Sequence, residues 1–138
     1  MTIKLNFAGM TFKQIKETCI YMSDLKQARD FYNGLLGLPV IGFVEDKHIF
    51  FRAGRSVLLC FNPADSRNKK SPPPHFAIGK YHFAFEVASA DYEKEKAALM
   101  AKGIKITDEV TWRNGLKSSY FEDPAGNVLE IVPEGVWD

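Results

Sequence analysis

Cysteine is scarce. The chain has two, Cys19 and Cys60, each inside an apolar run of strand character. Two isolated thiols make no disulfide framework, and the expectation is buried free thiols in a reducing, cytoplasmic setting. Net charge is equally small: 18 Lys and Arg stand against 17 Asp and Glu, leaving +1. That gives no broad electrostatic case for nucleic acid or an anionic membrane. Long hydrophobic runs are missing too. The longest, Val57 to Phe61, spans about five residues, where a membrane-crossing helix needs roughly 20. Residues 1–16 lack the apolar core of a signal peptide, so none is expected.

What remains is an ordinary globular composition. The 138 residues, 46% apolar and 25% charged, suit one compact domain with a real core. The stretch Ser118 to Val132 organises the rest. Two strand-like segments flank Asp123-Pro124-Ala125-Gly126-Asn127, where proline fixes φ, glycine supplies φ > 0, and Asp and Asn bond to nearby backbone. The unit reads as a β-hairpin. Its second strand carries Glu130 between Leu129 and Ile131. A carboxylate in an apolar strand must be solvated, paired or bound to a metal.

Upstream, residues 1–14 read as an arm with Leu5, Phe7, Met10 and Phe12 as anchors. Glu17 to Met22 is a strand. Ser23 and Asp24 supply helix-cap chemistry, and Leu25, Ala28, Phe31, Tyr32 and Leu35 recur at helical spacing up to Gly37. Three strands follow, over 39–44, 48–52 and 56–61. Residues 62–80 carry Pro72-Pro73-Pro74 and His75; consecutive prolines favour an extended linker and exclude a ladder. The order then repeats: a strand over 81–87, a helix over 91–102 with Tyr92, Ala97, Leu99 and Met100 apolar, a strand over 104–112, and the hairpin. The expected fold is therefore α+β, a single domain over 1–138. Module 1 covers about 15–62, a linker about 63–79, and module 2 about 80–138, each module reading βαβββ. Neither half is long enough to bury its sheet alone.

Repetition places three polar residues at related positions. His82 lies in the first strand of module 2, Glu17 at the start of the equivalent strand of module 1, and Glu130 in the last strand of module 2. The last strand of module 1 offers only Leu58, Leu59 and Cys60 there. Two carboxylates and one imidazole suit a divalent Mn, Fe, Ni, Co or Zn ion and leave positions open for substrate. The plainer alternative makes His82 a core histidine paired with Glu130, and Glu17 a solvated strand end. Spacing alone leaves the two open.

Thr18 to Leu25, Ala28, Phe31-Tyr32 and Leu35-Leu36-Gly37-Leu38, taken with Phe121, Asp123-Pro124, Gly126-Asn127 and Leu129-Glu130, resemble the vicinal oxygen chelate superfamily. That group includes glyoxalase I, extradiol dioxygenases, fosfomycin-resistance enzymes and bleomycin-binding proteins. The resemblance implies paired βαβββ modules in a U-shaped, partly closed mixed sheet around a metal cavity. It implies Glu17, His82 and Glu130 as the metal ligands, with no match for the fourth ligand of glyoxalase I. It also implies that Ser118 and Tyr120, at hairpin positions similar to those that contact substrate in the fosfomycin enzymes, orient a ligand. Ordinary sheet packing is the alternative for Tyr120.

Other candidates carry plainer alternatives as well. Arg113 can bind an anionic group or be a solvated hairpin tip. Trp112 can stack on a substrate ring or pack at the rim. His75 can act as acid or base if the linker folds over the cavity, or stay in solvent. The combined expectation is a metal-dependent enzyme whose catalytic set includes Glu130, Tyr120 and His75. It acts on a small substrate with vicinal oxygens or an oxyanion, lyase or isomerase chemistry standing first, ring-cleaving dioxygenase or thiol-transferase chemistry behind it. The alternative is a non-catalytic, bleomycin-type drug-binding protein. Val57 to Phe61 reads as a sheet edge without charged guards, and this predicts a homodimer with isologous contacts.

Overall fold

The computed structural model describes residues 9–138. The proposed anchors Leu5 and Phe7 fall outside them, and Met10 and Phe12 are exposed. Two four-stranded mixed sheets make up the fold. In the first, β1 (Glu17–Tyr21), β2 (Val40–Val44), β3 (His48–Ala53) and β4 (Ser56–Phe61) lie in the order β1-β4-β3-β2. In the second, β5 (His82–Val87), β6 (Asp108–Thr111), β7 (Lys117–Glu122) and β8 (Val128–Pro133) lie in the order β5-β8-β7-β6. The two orders are the same, so the repeat read from the sequence is a repeat of topology. Each module opens with a strand that pairs in parallel with the module's last strand. The sheets are not closed into a barrel.

Helix α1 (Leu25–Ala28), capped by the Asp24 carboxylate on the Gln27 N–H, runs on as a π-helical segment, Arg29–Leu35. The wider turn keeps Leu25, Ala28, Phe31 and Tyr32 all buried. Phe31 packs against Phe121 and Tyr32 against Phe51 and Phe83, so this helix joins the two halves into one core with Ile20, Ile49, Leu58, Leu129 and Ile131.

Several local expectations change. β4 is interior, flanked by β1 and β3, so Val57 to Phe61 is no edge. Cys60 is buried but Cys19 is exposed, because β1 alternates and Ile20 takes the core side. The strand expected over 104–112 is Asp108–Thr111; Ile104 and Ile106 fill the core from a loop instead. The linker is not fully extended: α2 (Pro63–Ser66) is capped by the Asn62 side chain, and the His75 N–H returns to the Ser66 carbonyl at 3.1 Å. Helix α3 (Tyr92–Ala101) buries Tyr92 and Leu99 and leaves Met100 57% exposed.

Candidate functional site

Alternation along the second sheet separates two kinds of side chain. Phe83, Phe85, Leu129, Ile131 and Phe121 turn toward the helices and the core. His82, Ala84, Glu130 and Tyr120 share the other face, Ala84 and Tyr120 standing opposite Glu130 in register. There Glu130, only 8% exposed in its side chain, places Oε1 3.1 Å from Nε2 of the half-exposed His82. The Tyr120 ring lies 5.9 Å from the His82 ring. Burial raises the Tyr120 phenol above its ordinary pKa, and the charge of Glu130 and a hydrogen bond to it push the same way.

His82 Nδ1 lies 2.8 Å from the Val128 carbonyl. A carbonyl only accepts, so Nδ1 carries the proton and donates. Nε2 then meets a carboxylate oxygen at 3.1 Å as either an imidazolium N–H or a bare lone pair. A lone pair facing a carboxylate is repelled by it unless a proton or a metal cation lies between them. Two cis ligands at about 2.1 Å from one ion are separated by about 3.0 Å, so the pair fits adjacent positions of a divalent metal.

Glu17 stands at the opposite place in the first module. It opens β1, pairs with Val57, and shares a face with Cys19 and Tyr21. The Tyr21 ring lies 6.1 Å from that of Tyr81, the neighbour of His82. The end of β1 is thus beside the start of β5, and Glu17 lies four residues, about 13 Å of strand, further back along β1. Among the described residues no three His, Cys, Asp or Glu side chains are grouped to hold a metal. Within one chain the fold brings His82 and Glu130 together and does not bring Glu17 to them.

The remaining candidates divide. Trp112 donates from Nε1 to the hydroxyl of Ser118 at 2.9 Å, so the indole lies over a fully buried Ser118. Arg113 is exposed at the tip between β6 and β7. His75 folds onto the first sheet, its ring 4.5 Å from Phe61 and its Nδ1 2.7 Å from the Tyr21 hydroxyl. The Val128 carbonyl, which orients His82, was not singled out from the sequence; its signal is the register of two strands 46 positions apart. A cleft of about 690 Å³ between the modules, lined by Leu35, Phe83, Phe85 and Leu99 among others, opens on the helix side and contains neither His82 nor Glu130. Size favours the cleft and chemistry favours the pair. We place the site at the pair, because it joins an imidazole to a buried carboxylate, whereas the cleft sets apolar walls among the scattered charges of Arg55, Glu86, Glu95 and Lys102.

A doubled βαβββ fold with an imidazole and a carboxylate meeting on one sheet face defines a class of protein. The chain belongs to it: residues 14–131 match the model of the Glyoxalase/Bleomycin resistance protein/Dioxygenase superfamily. The crystal structure of a lactoylglutathione lyase from Agrobacterium tumefaciens is similar, with 33% identity, a TM-score of 0.87, and coverage of 93% of this chain and 98% of that one. A glyoxalase/bleomycin resistance protein/dioxygenase from Nocardioides, at 20% identity, shares the fold with a TM-score of 0.72 over 93% of this chain and 89% of its own. An integron cassette protein from a harbour sewage metagenome, at 24% identity, does so with a TM-score of 0.71 over 88% and 99%. No curated protein matches the sequence. Among the described residues no helix is long and apolar enough to cross a membrane.

Proposed function

We propose that the chain is a metal-dependent enzyme whose centre is built on His82 and Glu130 and completed across a two-fold axis by the partner subunit's Glu17. One observation carries this reading: His82 donates from Nδ1 to the Val128 carbonyl and so turns Nε2 onto Glu130 Oε1 at 3.1 Å. A divalent ion held there would supply Lewis-acid stabilisation of negative charge on a substrate oxygen. The superfamily generally uses divalent metals, and its members often form dimers. Among the reactions open to such a centre, the name of the 33% identical relative supports lyase chemistry on a small substrate with adjacent oxygens.

The chain's own groups then have defined tasks. Tyr120, kept protonated, donates to Glu130 and holds that carboxylate in place beside His82. Trp112, fixed by Ser118, offers a ring face to the substrate, and Arg113 attracts an anionic group at the rim. His75, joined to Tyr21, serves as a proton carrier for a cavity formed between copies.

The direct test is calorimetric titration of the chelator-treated protein with Ni²⁺ and Mn²⁺. Binding should be micromolar or tighter and should be lost in Glu130→Gln and in His82→Ala, with the fold kept. Mixing Glu17→Ala with His82→Ala should restore about a quarter of the sites, because half of randomly mixed dimers hold one intact site of two. No binding by the unmodified protein would favour a drug-binding protein instead. Binding without rescue would place the third ligand elsewhere than the partner subunit's Glu17.

A further inference from the structure

The turn of the closing hairpin is held from inside. Asp123 is 5% exposed and Asn127 1%, and a buried carboxylate needs all its partners. Asp123 Oδ1 accepts the N–H groups of Ala125 and Asn127, both at 2.9 Å. Its Oδ2 accepts Asn127 Nδ2 at 2.8 Å and the Tyr32 hydroxyl at 2.6 Å. Tyr32 belongs to the helix of the first module, 91 positions earlier. Burial and the Asp123 charge push its phenol far above the ordinary value, so it stays a donor.

The chain of bonds then runs on to the metal-site imidazole. The Tyr81 N–H donates to Asn127 Oδ1 at 3.0 Å. The Val128 N–H donates to the Tyr81 carbonyl at 2.7 Å. His82 Nδ1 donates to the Val128 carbonyl at 2.8 Å. Three bonds thus zip the start of β5 to the start of β8, and the first comes from the side chain that Asp123 holds. At Gly126 the φ of +84° is one that residues with a Cβ adopt only under strain, so glycine gives the turn this shape without cost.

We propose that Tyr32, Asp123 and Asn127 are positioning residues for His82: a hydroxyl from the first module fixes, through the turn, the tautomer of the imidazole and its aim at Glu130. The docking of module 1 onto module 2 therefore sets how well the second module's own pair binds a metal. This rests on the metal reading above. A turn with only a structural task would lower stability when damaged and leave the ring as it was.

The test compares Asn127→Ala and Tyr32→Phe with Tyr92→Phe. The last removes another buried tyrosine hydroxyl, one bonded to Glu109 and Ser119 and not to this network. The ring N–H signals of His82 are read in metal-free protein by ¹H–¹⁵N correlation and hydrogen exchange. The unmodified protein and Tyr92→Phe should show a slowly exchanging Nδ1–H held by the Val128 carbonyl. In Asn127→Ala, and to a smaller extent in Tyr32→Phe, that proton should exchange faster and its signal should move. Ni²⁺ affinity should fall roughly 10–100-fold in Asn127→Ala and about 10-fold in Tyr32→Phe, and stay unchanged in Tyr92→Phe. His82 ring signals in Tyr32→Phe that superimpose on those of the unmodified protein would overturn the proposal, whether or not Asn127→Ala folds. If no form binds Ni²⁺ the metal reading fails, and the ring N–H measurement still decides the positioning role.

Discussion

The two sheets share one topology and are held together by different forces. In module 1 the helix buries Leu25, Ala28, Phe31 and Tyr32, and hydrocarbon joins it to the core. In module 2 α3 buries only Tyr92 and Leu99 and is pinned by polar bonds. The Tyr92 hydroxyl donates to Glu109 Oε2 at 2.8 Å and also bonds the buried Ser119, while Lys96 reaches Glu109 at 2.7 Å. The faces away from the helices differ in parallel. His82 pairs with Val128 and Glu17 with Val57, so the counterpart of Glu130 in module 1 is Leu59. One sheet offers an imidazole and a carboxylate side by side; the other offers one carboxylate alone. The two modules share a register and differ in the side chains it places, so one sheet carries a paired imidazole and carboxylate and the other the larger share of the buried core.

The comparison can be broken first at its apolar end. Phe51→Ala removes a fully buried ring that touches Tyr32. It should cost about 3–5 kcal/mol, read as a large drop in the urea midpoint. A loss under about 1 kcal/mol would mean that module 1 is not the anchor. Tyr92→Phe tests the polar end and should cost about 1–2 kcal/mol, since Glu109 and Ser119 lose a partner.

The same network predicts a pH dependence. The hydrogen bond from Lys96 holds the Glu109 carboxyl below its ordinary pKa, and the bond from Tyr92 adds to this. A depressed folded pKa contributes stability that is present above the unfolded value, about 4.3, and lost as pH falls through the folded one. Denaturation midpoints followed downward from about pH 5 should therefore fall less steeply in Glu109→Gln than in the unmodified protein. Equal slopes would show that Glu109 is not ion-paired in solution. The smallest effect belongs to Met100→Lys on the exposed side of α3, expected within about 0.5 kcal/mol. A larger loss would show that this side of the helix is covered in the assembled protein.

The sequence by itself determined the repeat, the helix that opens each module's crossover and the closing hairpin, but not α2. Each is written in local chemistry: the cap at Asp24, the apolar spacing from Leu25 to Leu35, and the Asp-Pro-Ala-Gly-Asn turn. It also marked His82 and Glu130, because a polar group in an apolar strand is conspicuous before any fold is known. Tertiary structure alone decided what those residues meet. The His82–Val128 register, the hold of Tyr32 on Asp123, the interior place of β4, the cover of Trp112 over Ser118 and the separation of Glu17 from His82 within one chain come from packing or from pairings between distant segments. A strand displaced by one residue exchanges its two faces, and local spacing carries no term for that register.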